Sequence, residues 1–384
     1  MSPQRTPQGH GRVMLAAGGT GGHMFPAQAL ARELISRGYQ PMLLTDRRAG
    51  GFGPELADQV ETHFVASAGF AGGDALSKVK SLLNLVVGYL QARRLIRRLE
   101  PLVVVGFGGY ASLPTMLAAA HKRRRVVLHE QNAVLGRANR LLAPRAHAIA
   151  TSFPEVQGIA DAERARCVLT GNPVRQAIQA IGRRPYAVAD ETGPLRLLVT
   201  GGSQGARVFN DLVPEAVAEL PERLRRRLQV TQQVRGTDYG PVRDGYDAAG
   251  VAADLQSFFD DLPERLRQAH LVICRSGAST TTELAAAGRP AILVPYPFAA
   301  DDHQTANAGA FAEAGGGWLM PQDTLTPEVL AERLTSLFET PSLLTRAAAC
   351  ALAFAQPDSA KRLADLVLGG GDSRDETGKK EAAA

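Results

Sequence analysis

Short apolar runs alternate with amphipathic stretches along the first half of the chain. The runs are bounded by glycines and other turn residues, which is typical of buried strands, and apolar residues at every third or fourth position predict helices. Strands that alternate with helices indicate a parallel sheet covered by helices on both faces. The predicted strands are Arg12–Ala17, Pro41–Thr45, Pro101–Val105, Arg125–His129, Ala146–Ser152 and Cys167–Thr170. The predicted helices are Pro26–Arg37, Asp74–Arg98 and Pro114–Ala120.

The same alternation begins again at Leu195, which predicts a second domain similar to the first. Its strands are expected at Leu195–Thr200, Leu228–Gln233, Leu271–Cys274 and Ala291–Pro295. The predicted fold class is therefore α/β, with two Rossmann-like, doubly wound parallel-sheet domains. Such sheets bind ligands at the carboxyl ends of their strands. Because two such domains are predicted to face each other across a cleft, we expect the site in that cleft.

The domain boundary and the chain ends are marked by breaks in this pattern. Gly171–Pro173 interrupts it between the two halves, and glycines and charges dominate the chain from Gly369 on. The predicted organisation is a disordered N-terminus at 1–11, a first domain at 12–173, a second domain at 174–343, a C-terminal helix at 344–367 that packs back on the first domain, and a disordered tail at 368–384.

The composition is that of an ordinary globular protein. Of the 384 residues, 45% are hydrophobic and 21% are charged, which excludes a largely disordered chain, a collagen and a coiled coil. The three cysteines, Cys167, Cys274 and Cys350, are too scattered for a disulfide framework or a zinc cluster, so we expect a reducing, cytoplasmic setting. No apolar run reaches about 18 residues and the N-terminus lacks the apolar core of a secretory signal, so neither a transmembrane helix nor a signal peptide is predicted.

The positive charge is concentrated in the first half of the chain. Residues 1–173 carry 21 Lys and Arg against 11 Asp and Glu, a net of +10, whereas the whole chain has a net charge of +5. A basic half favours an anionic partner, such as a phosphorylated substrate, a membrane surface or nucleic acid. Aromatic residues are only 5% and do not interleave with the basic ones, so nucleic acid is not expected as a partner.

Three glycine-rich or hydroxyl-rich segments follow predicted strands. Gly18–His23 (GGTGGH) places four glycines in five residues before a helix, where backbone N–H groups can surround an anion. Gly201–Ala206 (GGSQGA) occupies the same place in the second half. Arg275–Glu283 (RSGASTTTE) opens a helix with hydroxyl residues and carries a carboxylate about two turns in, where it could accept hydrogen bonds from a ribose diol. A tight turn without a ligand, and a solvent-facing Glu283, remain the alternatives.

Other nucleotide folds fit these segments less well. A dinucleotide fingerprint requires a third glycine where Met24 stands, and a Walker A loop requires lysine where His23 stands. An NAD(P) oxidoreductase would explain one glycine turn but neither the spacing nor the repetition in the second half. A sugar-nucleotide-binding protein without catalysis also remains open.

An ordered set of motifs resembles the MurG family of bacterial glycosyltransferases, which is part of glycosyltransferase family 28. The resemblance covers residues 12–367. The motifs that carry it are GGTGGH (18–23), GFGGYAS (106–112), HEQN (129–132), GNPVR (171–175), GGSQGA (201–206), RSGAST…E (275–283) and DDHQ…N (301–307).

The resemblance implies a GT-B fold and an inverting transfer of N-acetylglucosamine (GlcNAc). The donor would be UDP-GlcNAc, and the acceptor the C4 hydroxyl of the N-acetylmuramic acid (MurNAc) residue of lipid I (undecaprenyl-pyrophosphoryl-MurNAc-pentapeptide). The product would be lipid II for peptidoglycan synthesis, and so for cell shape and division. No cofactor and no metal would be needed. The protein would be peripheral on the cytoplasmic face of the inner membrane, with an anionic membrane surface and other cell-wall synthesis proteins as partners. The alternative is another UDP-sugar-dependent GT-B transferase with a lipid acceptor.

Site residues are carried over from the same resemblance. In this picture Glu283 takes the ribose hydroxyls, Gln304 the sugar hydroxyls, and the backbone of Phe259 lies near the uracil. Ser279 departs from the larger apolar residue of some members, and we expect little consequence. The full set of predicted substrate-binding residues is Thr20, Gly21, Gly22, Asn132, Arg175, Ser203, Phe259, Gly277, Ala278, Ser279, Thr280, Thr281, Thr282, Glu283 and Gln304.

His23 is the candidate general base, since an imidazole titrates near neutrality and this one follows the glycine turn. Glu283 and Asn132 complete the predicted catalytic set. His129 and Glu130 are rival bases, and a capping role for His23 stays open. Gly108, Gly109 and Tyr110 are predicted on the acceptor side, although Tyr110 could be an ordinary loop residue.

The predicted helix Asp74–Arg98 combines apolar and basic residues. Its composition is typical either of a helix that docks on an anionic membrane or of a core-facing helix with a solvated basic end. The resemblance favours the membrane. The apolar residues are Leu76, Val79, Leu82, Leu83, Leu85, Val86, Tyr89 and Leu90, the basic ones are Lys78, Lys80, Arg93, Arg94, Arg97 and Arg98, and a second basic cluster is Lys122–Arg125.

Overall fold

The chain folds into two compact units in a computed structural model. The first unit comprises the chain up to Pro173 together with the segment from Asp358 on, and the second comprises Val174–Pro357. The structure describes residues 10–18, 21–47, 51–67, 75–188, 190, 192–202, 205–236 and 239–369, with the backbone alone at 21, 54 and 75–78. The predicted disordered ends lie outside these ranges, except that Gly11 accepts a hydrogen bond from Gln40 N and Leu368 ends a helix.

The first unit is built on a seven-stranded sheet in which every strand pairing is parallel. The strand order is β3-β2-β1-β4-β5-β6-β7. The strands are β1 (Arg12–Ala16), β2 (Gln40–Thr45), β3 (Glu61–Phe64), β4 (Val103–Gly106), β5 (Arg125–Glu130), β6 (Ala148–Thr151) and β7 (Cys167–Leu169). The helices of this unit are α1 (Gly21–Ser36), α2 (Pro54–Ala57), α3 (Ala75–Leu99), α4 (Leu113–His121), α5 (Arg137–Leu142), α6 (Asp161–Arg164) and α16 (Ser359–Leu368).

The second unit repeats this architecture with a six-stranded parallel sheet of order β10-β9-β8-β11-β12-β13. Its strands are β8 (Leu195–Thr200), β9 (Leu228–Gln233), β10 (Ala252–Gln256), β11 (Leu271–Cys274), β12 (Ala291–Leu293) and β13 (Gly317–Leu319). Its helices are α7 (Gln176–Gly182), α8 (Val208–Ala218), α9 (Glu222–Arg225), α10 (Gly240–Ala248), α11 (Leu262–Gln268), α12 (Ala278–Ala287), α13 (His303–Glu313), α14 (Pro327–Glu339) and α15 (Pro341–Phe354).

Alternate side chains of the second sheet enter two separate cores. In β11, Leu271 and Ile273 pack into one apolar cluster, whereas Val272 and Cys274 pack into another on the opposite face. Because successive residues of a strand point to opposite faces, a continuous apolar run such as LVIC is buried on both sides. The predicted α/β class with doubly wound parallel sheets is confirmed.

The C-terminal segment differs from the prediction of one helix over 344–367. It forms two helices: α15 packs on α12 of the second unit, and α16 packs on α1 of the first. The break falls at Pro357 and Asp358, where proline removes a backbone donor and Asp358 adopts a positive φ of 55°. The switch to the first unit is therefore made by α16 alone.

Helix α1 begins earlier than predicted. The sequence placed its start at Pro26, but the helix starts at Gly21, so that His23 lies in its first turn. No helix in the described part of the chain is both long and apolar enough to span a membrane.

Candidate functional site

Two glycine turns of the first unit lie side by side where its strand order reverses. Strands β1 and β4 are neighbours, with Ala16 opposite Gly106, so the segments that follow them leave the same edge of the sheet. A Cβ atom built on Gly109 would lie 3.4 Å from the carbonyl oxygen of Gly18. Thr20 falls outside the described residues, while Gly21 and Gly22 open α1.

The imidazole of His23 packs against the second of these turns. A Cβ on Gly108 would lie 3.4 Å from His23 Cε1, and one on Gly109 would lie 3.4 Å from both Cδ2 and Nε2. Both glycines have positive φ, +82° and +73°, which other residues rarely adopt. Glycine is therefore required twice here, and the structure brings the predicted base to the predicted acceptor turn. Tyr110 follows and is half-buried.

The carboxylate of Glu130 organises the segment that carries Asn132. Its Oε1 accepts from the backbone N of Asn132 at 3.0 Å, and its Oε2 accepts from Gly136 N at 2.9 Å and from Asn139 Nδ2 at 2.8 Å. With both oxygens engaged, this rival base is a structural acceptor. Asn139 had not been predicted, and only its polarity in the first helix after HEQN could have suggested it.

His129, the other rival base, is fully buried. Its Nε2 lies 3.3 Å from the Gly171 carbonyl oxygen, and burial, together with the nearby His23, lowers its pKa to about 4. Because this neutral ring is buried, it cannot contact a substrate hydroxyl in a solvent-exposed site and cannot take its proton. Of the two histidines, His23 keeps the better position for proton transfer.

Two turns also meet in the second unit. Thr200, which ends β8, lies opposite Cys274, which ends β11, so the turns after these strands are adjacent. A Cβ on Gly202 (φ +73°) would lie 3.8 Å from Thr280 Oγ1. Gln233 had been missed: its Oε1 accepts from Thr200 Oγ1 and from Gly201 N, each at 3.0 Å, and so fixes the start of the glycine turn. Ser203 lies outside the described residues.

The segment from Gly277 is the first turn of a helix. Gly277 is the N-cap of α12, whose first residues are Ala278, Ser279 and Thr280. The first N–H groups of a helix have no partner within it and carry partial positive charge, which suits a diphosphate. The hydroxyls of Thr281 and Thr282 donate back to the carbonyls of Gly277 and Ala278. Since Thr281 is also fully buried, a ligand would meet the backbone here rather than this side chain.

Glu283 lies further along the same helix and pairs with Arg175. Arg175, the N-cap of α7, donates from Nε to Glu283 Oε1 at 2.9 Å. Burial raises the pKa of Glu283, and the guanidinium lowers it in part. The rise of about 1.5 Å per residue places the carboxylate about 8 Å from the first turn, a span suited to a diphosphate and its ribose.

Gln304 is held at the start of α13. Its Oε1 accepts from Tyr296 N at 2.9 Å, so the amide nitrogen is the end of this side chain that can donate to a ligand. Its backbone carbonyl accepts from Ser276 Oγ at 2.8 Å, which ties α13 to the start of α12. Buried Arg275 donates hydrogen bonds to the carbonyls of Val294 and Pro295 and so fixes the start of the loop that leads to α13.

Phe259 and its neighbour Phe258 differ in exposure. The side chain of Phe259 is buried beside α11 and α12, whereas that of Phe258 is 59% exposed. The predicted use of the Phe259 backbone is compatible with a ring that is fixed in the core. The predicted donor residues that are described therefore lie in the second unit around α12, except for Gly21, Gly22 and Asn132 in the first.

Comparisons with known proteins agree with this arrangement. Residues 13–151 match the glycosyltransferase family 28 N-terminal domain, and residues 196–363 match the glycosyltransferase family 28 C-terminal domain. A protein of Rhodospirillum centenum is 58% identical over 357 residues, covering 93% of this chain and 94% of that protein. It is named UDP-N-acetylglucosamine--N-acetylmuramyl-(pentapeptide) pyrophosphoryl-undecaprenol N-acetylglucosamine transferase. The chain belongs to glycosyltransferase family 28.

A solved MurG structure has the same fold. The crystal structure of Acinetobacter baumannii MurG matches with a TM-score of 0.76 and 32% identity, covering 94% of this chain and 99% of that one. A glycosyltransferase of kitacinnamycin, at 17% identity and a TM-score of 0.68, shares the fold alone. The predicted family resemblance and GT-B fold are confirmed. Which residues of this chain form the site remains a prediction, and the geometry above describes the contacts of the predicted residues.

Proposed function

We propose that this chain is the hexosyltransferase that moves GlcNAc from UDP-GlcNAc to lipid I and so forms lipid II for peptidoglycan. The relative from Rhodospirillum centenum, at 58% identity over almost the whole of both chains, is named for this activity. The observation that carries the proposal in the structure is α12: its first-turn N–H groups and the Glu283 carboxylate lie on one helix at the spacing of a diphosphate and a ribose.

The reaction is a displacement at the anomeric carbon of GlcNAc. The C4 hydroxyl oxygen of MurNAc forms the new bond, the bond from C1 to the diphosphate oxygen breaks, and UDP leaves with that electron pair. Attack from the opposite face inverts the configuration and gives a β linkage. The hydroxyl proton must go to a base, and the imidazole of His23, fixed against Gly108 and Gly109, takes this role.

The leaving diphosphate gains negative charge as the bond breaks. The positive N-terminal end of α12 and its backbone N–H groups stabilise that charge, so a metal ion is not needed in this proposal. Gln304 orients the sugar through its amide nitrogen, because its oxygen is already engaged by Tyr296 N. Glu283, whose ionised form is favoured by the hydrogen bond from Arg175, accepts the ribose hydroxyls.

The acceptor carries a lipid anchor, and α3 provides a surface for the membrane that would hold it. Six apolar side chains of α3 are 46–60% exposed and recur at helical spacing, which forms a continuous apolar stripe. Lys80 and the arginines at 93, 94, 97 and 98 are exposed on the same helix. The stripe consists of Val79, Leu82, Leu83, Val86, Val87 and Leu90; the side chains of Leu76 and Lys78 lie outside the described residues.

The second basic cluster lies beside this stripe. Tyr89 of α3 contacts His121 at the end of α4, with Tyr89 Oη 2.9 Å from His121 Nδ1, and Lys122–Arg125 follow directly. Leu85 and Tyr89 are half-buried, and Tyr89 contacts α4. We propose that this surface docks on the anionic cytoplasmic face of the inner membrane, where the apolar stripe inserts and the basic residues meet lipid phosphates.

A transfer assay tests the activity directly. Radiolabelled UDP-GlcNAc, a short-chain lipid I analogue and EDTA are combined, with UDP-glucose run in parallel. Transfer of GlcNAc in the presence of EDTA supports the donor, the acceptor and independence from metal together. Binding of UDP without transfer would move the acceptor to another lipid, and absence of both would overturn the proposal.

A further inference from the structure

One arginine organises the loop that leads from β10 into α11. Arg265 lies in α11, and its side chain is only 14% exposed. Its Nε donates to Asp261 Oδ1 at 2.6 Å, and its Nη1 donates to Asp254 Oδ2 at 2.5 Å. The two carboxylates come from opposite ends of the loop, one in β10 and one just before α11. Arg265 therefore bridges the strand and the helix start.

The same guanidinium also stabilises the two residues that lie in the loop between these carboxylates, Phe258 and Phe259. Its Cζ lies 4.5 Å from the centroid of the Phe259 ring, within cation–π range. With the Gln256 amide in the orientation that satisfies both its ends, its oxygen accepts from Arg265 Nη2 at 2.7 Å and its nitrogen donates to the Phe258 carbonyl at 3.3 Å. Arg265 thus holds the Phe259 ring directly and the Phe258 carbonyl through the Gln256 amide.

Only arginine provides this combination of contacts. A guanidinium is planar and has five N–H donors in a fixed fork, so it can stack on a ring while it donates to three acceptors in different directions. An ammonium group has no plane to stack and concentrates its donors at one point. Without Arg265, Asp254 and Asp261 would also lose the cation that they share.

The loop matters because of what its backbone would present. If the proposed function holds, on which this inference rests, the backbone of Phe259 lies at the uracil. Uracil offers an N–H donor at N3 beside an acceptor at O4, which a peptide C=O and N–H complement, whereas cytosine reverses the two roles. We propose that Arg265 is the positioning residue that holds the 258–259 backbone in register for the base and thereby sets the preference for uracil over cytosine.

A variant of a second arginine on the same helix controls for the loss of positive charge and for correct folding. Arg267 lies two residues further along α11, is 41% exposed, and its side chain bonds to Glu264, at 2.7 Å from Nε to Oε2. Arg267→Ala removes the same charge from the same helix without touching the loop. Arg265→Ala removes both the guanidinium contacts and the charge, whereas Arg265→Lys removes the guanidinium contacts and retains the charge.

The test measures UDP and CDP dissociation constants by calorimetry, and KM and kcat with UDP-GlcNAc. For both Arg265 variants we expect the UDP constant and the KM to rise about tenfold, with kcat and the CDP constant within about twofold of wild type. Arg267→Ala should resemble wild type. If Arg265→Ala fails to fold by circular dichroism, Arg265→Lys decides.

Each other result has a defined meaning. Unchanged UDP binding in the Arg265 variants overturns the inference, as does an equal loss for UDP and CDP, because that pattern reports a general loosening of the site. A wild-type protein that transfers GlcNAc but does not discriminate UDP from CDP also overturns it and leaves the proposed function intact. A wild-type protein that does not bind UDP overturns the proposed function and, with it, this inference.

Discussion

Arg175 Nε lies 2.9 Å from Glu283 Oε1, joining the start of α7 to the second turn of α12. The Glu283 side chain is 17% exposed and that of Arg175 is 42% exposed, so the carboxylate is the more buried partner. Burial raises the pKa of Glu283, and the charge and hydrogen bond of Arg175 oppose that rise. Arg175 thus favours the ionised form of Glu283, the form in which its carboxylate can accept hydrogen bonds from the proposed ribose.

The first prediction concerns the pH dependence of donor binding. In Arg175→Met the pKa of Glu283 should rise further, because burial is no longer opposed. A protonated carboxyl is a poorer acceptor for ribose hydroxyls, so KM for UDP-GlcNAc should increase as pH falls, and the increase should begin at a higher pH in the variant. KM measured from about pH 5.5 to about pH 8.5 checks this. Arg183→Met, at the exposed end of α7, is the control; parallel KM profiles for Arg175→Met and wild type would contradict the prediction.

This pair also shows where prediction from sequence ends. Both residues were predicted as donor-site residues from separate motifs, but they are 108 positions apart and nothing in either motif indicates their contact. The same holds for His23, whose position depends on the positive φ of Gly108 and Gly109 in a turn more than 80 residues away. Such contacts follow from the strand order, which local patterns do not encode.

The strands that the sequence missed have a common physical feature. β3, β10 and β13 are all edge strands, and the first two are largely polar or exposed. The central strands were predicted because burial on both faces requires continuous apolar runs, whereas an edge strand needs no such run. The glycine turns were also predictable, since each follows a short apolar run that predicts a buried strand.

The second prediction tests the contact between Gly109 and His23. Gly109→Ala places a methyl group 3.4 Å from the imidazole at a positive φ, which costs about 1–2 kcal/mol of stability and displaces the ring. We expect kcat to fall by about tenfold or more. Gly250 has a φ of +66° and nothing within 4 Å of its Cβ position, so Gly250→Ala carries the same backbone strain alone. Urea unfolding and steady-state kinetics compare the two; equal kcat values would refute the contact's role.

The third prediction concerns the apolar stripe of α3. Leu82 and Leu83 are 57% and 60% exposed, so their replacement by serine should cost little stability. The double variant Leu82→Ser, Leu83→Ser should lose most of its co-sedimentation with anionic vesicles but keep its activity on a short-chain, soluble acceptor. Leu141→Ser changes a leucine that is 53% exposed on α5 and should bind vesicles like wild type. Undiminished vesicle binding by the double variant at low salt would count against docking through α3.

The fourth prediction follows from the buried, neutral ring of His129. Its pKa in the folded protein is about 4, because burial penalises the charged form, whereas the unfolded chain binds a proton near the ordinary value of 6.5. The ring therefore contributes fully to stability above about pH 6.5, and the contribution falls by about 3 kcal/mol as pH drops to about 4. His129→Gln can still donate to the Gly171 carbonyl but takes up no proton, so its unfolding free energy in urea should fall less steeply with acid. His121→Gln, at an exposed site in the same unit, is the matched control for replacing a histidine by glutamine. Identical slopes for His129→Gln and wild type would mean that His129 is not the group that titrates.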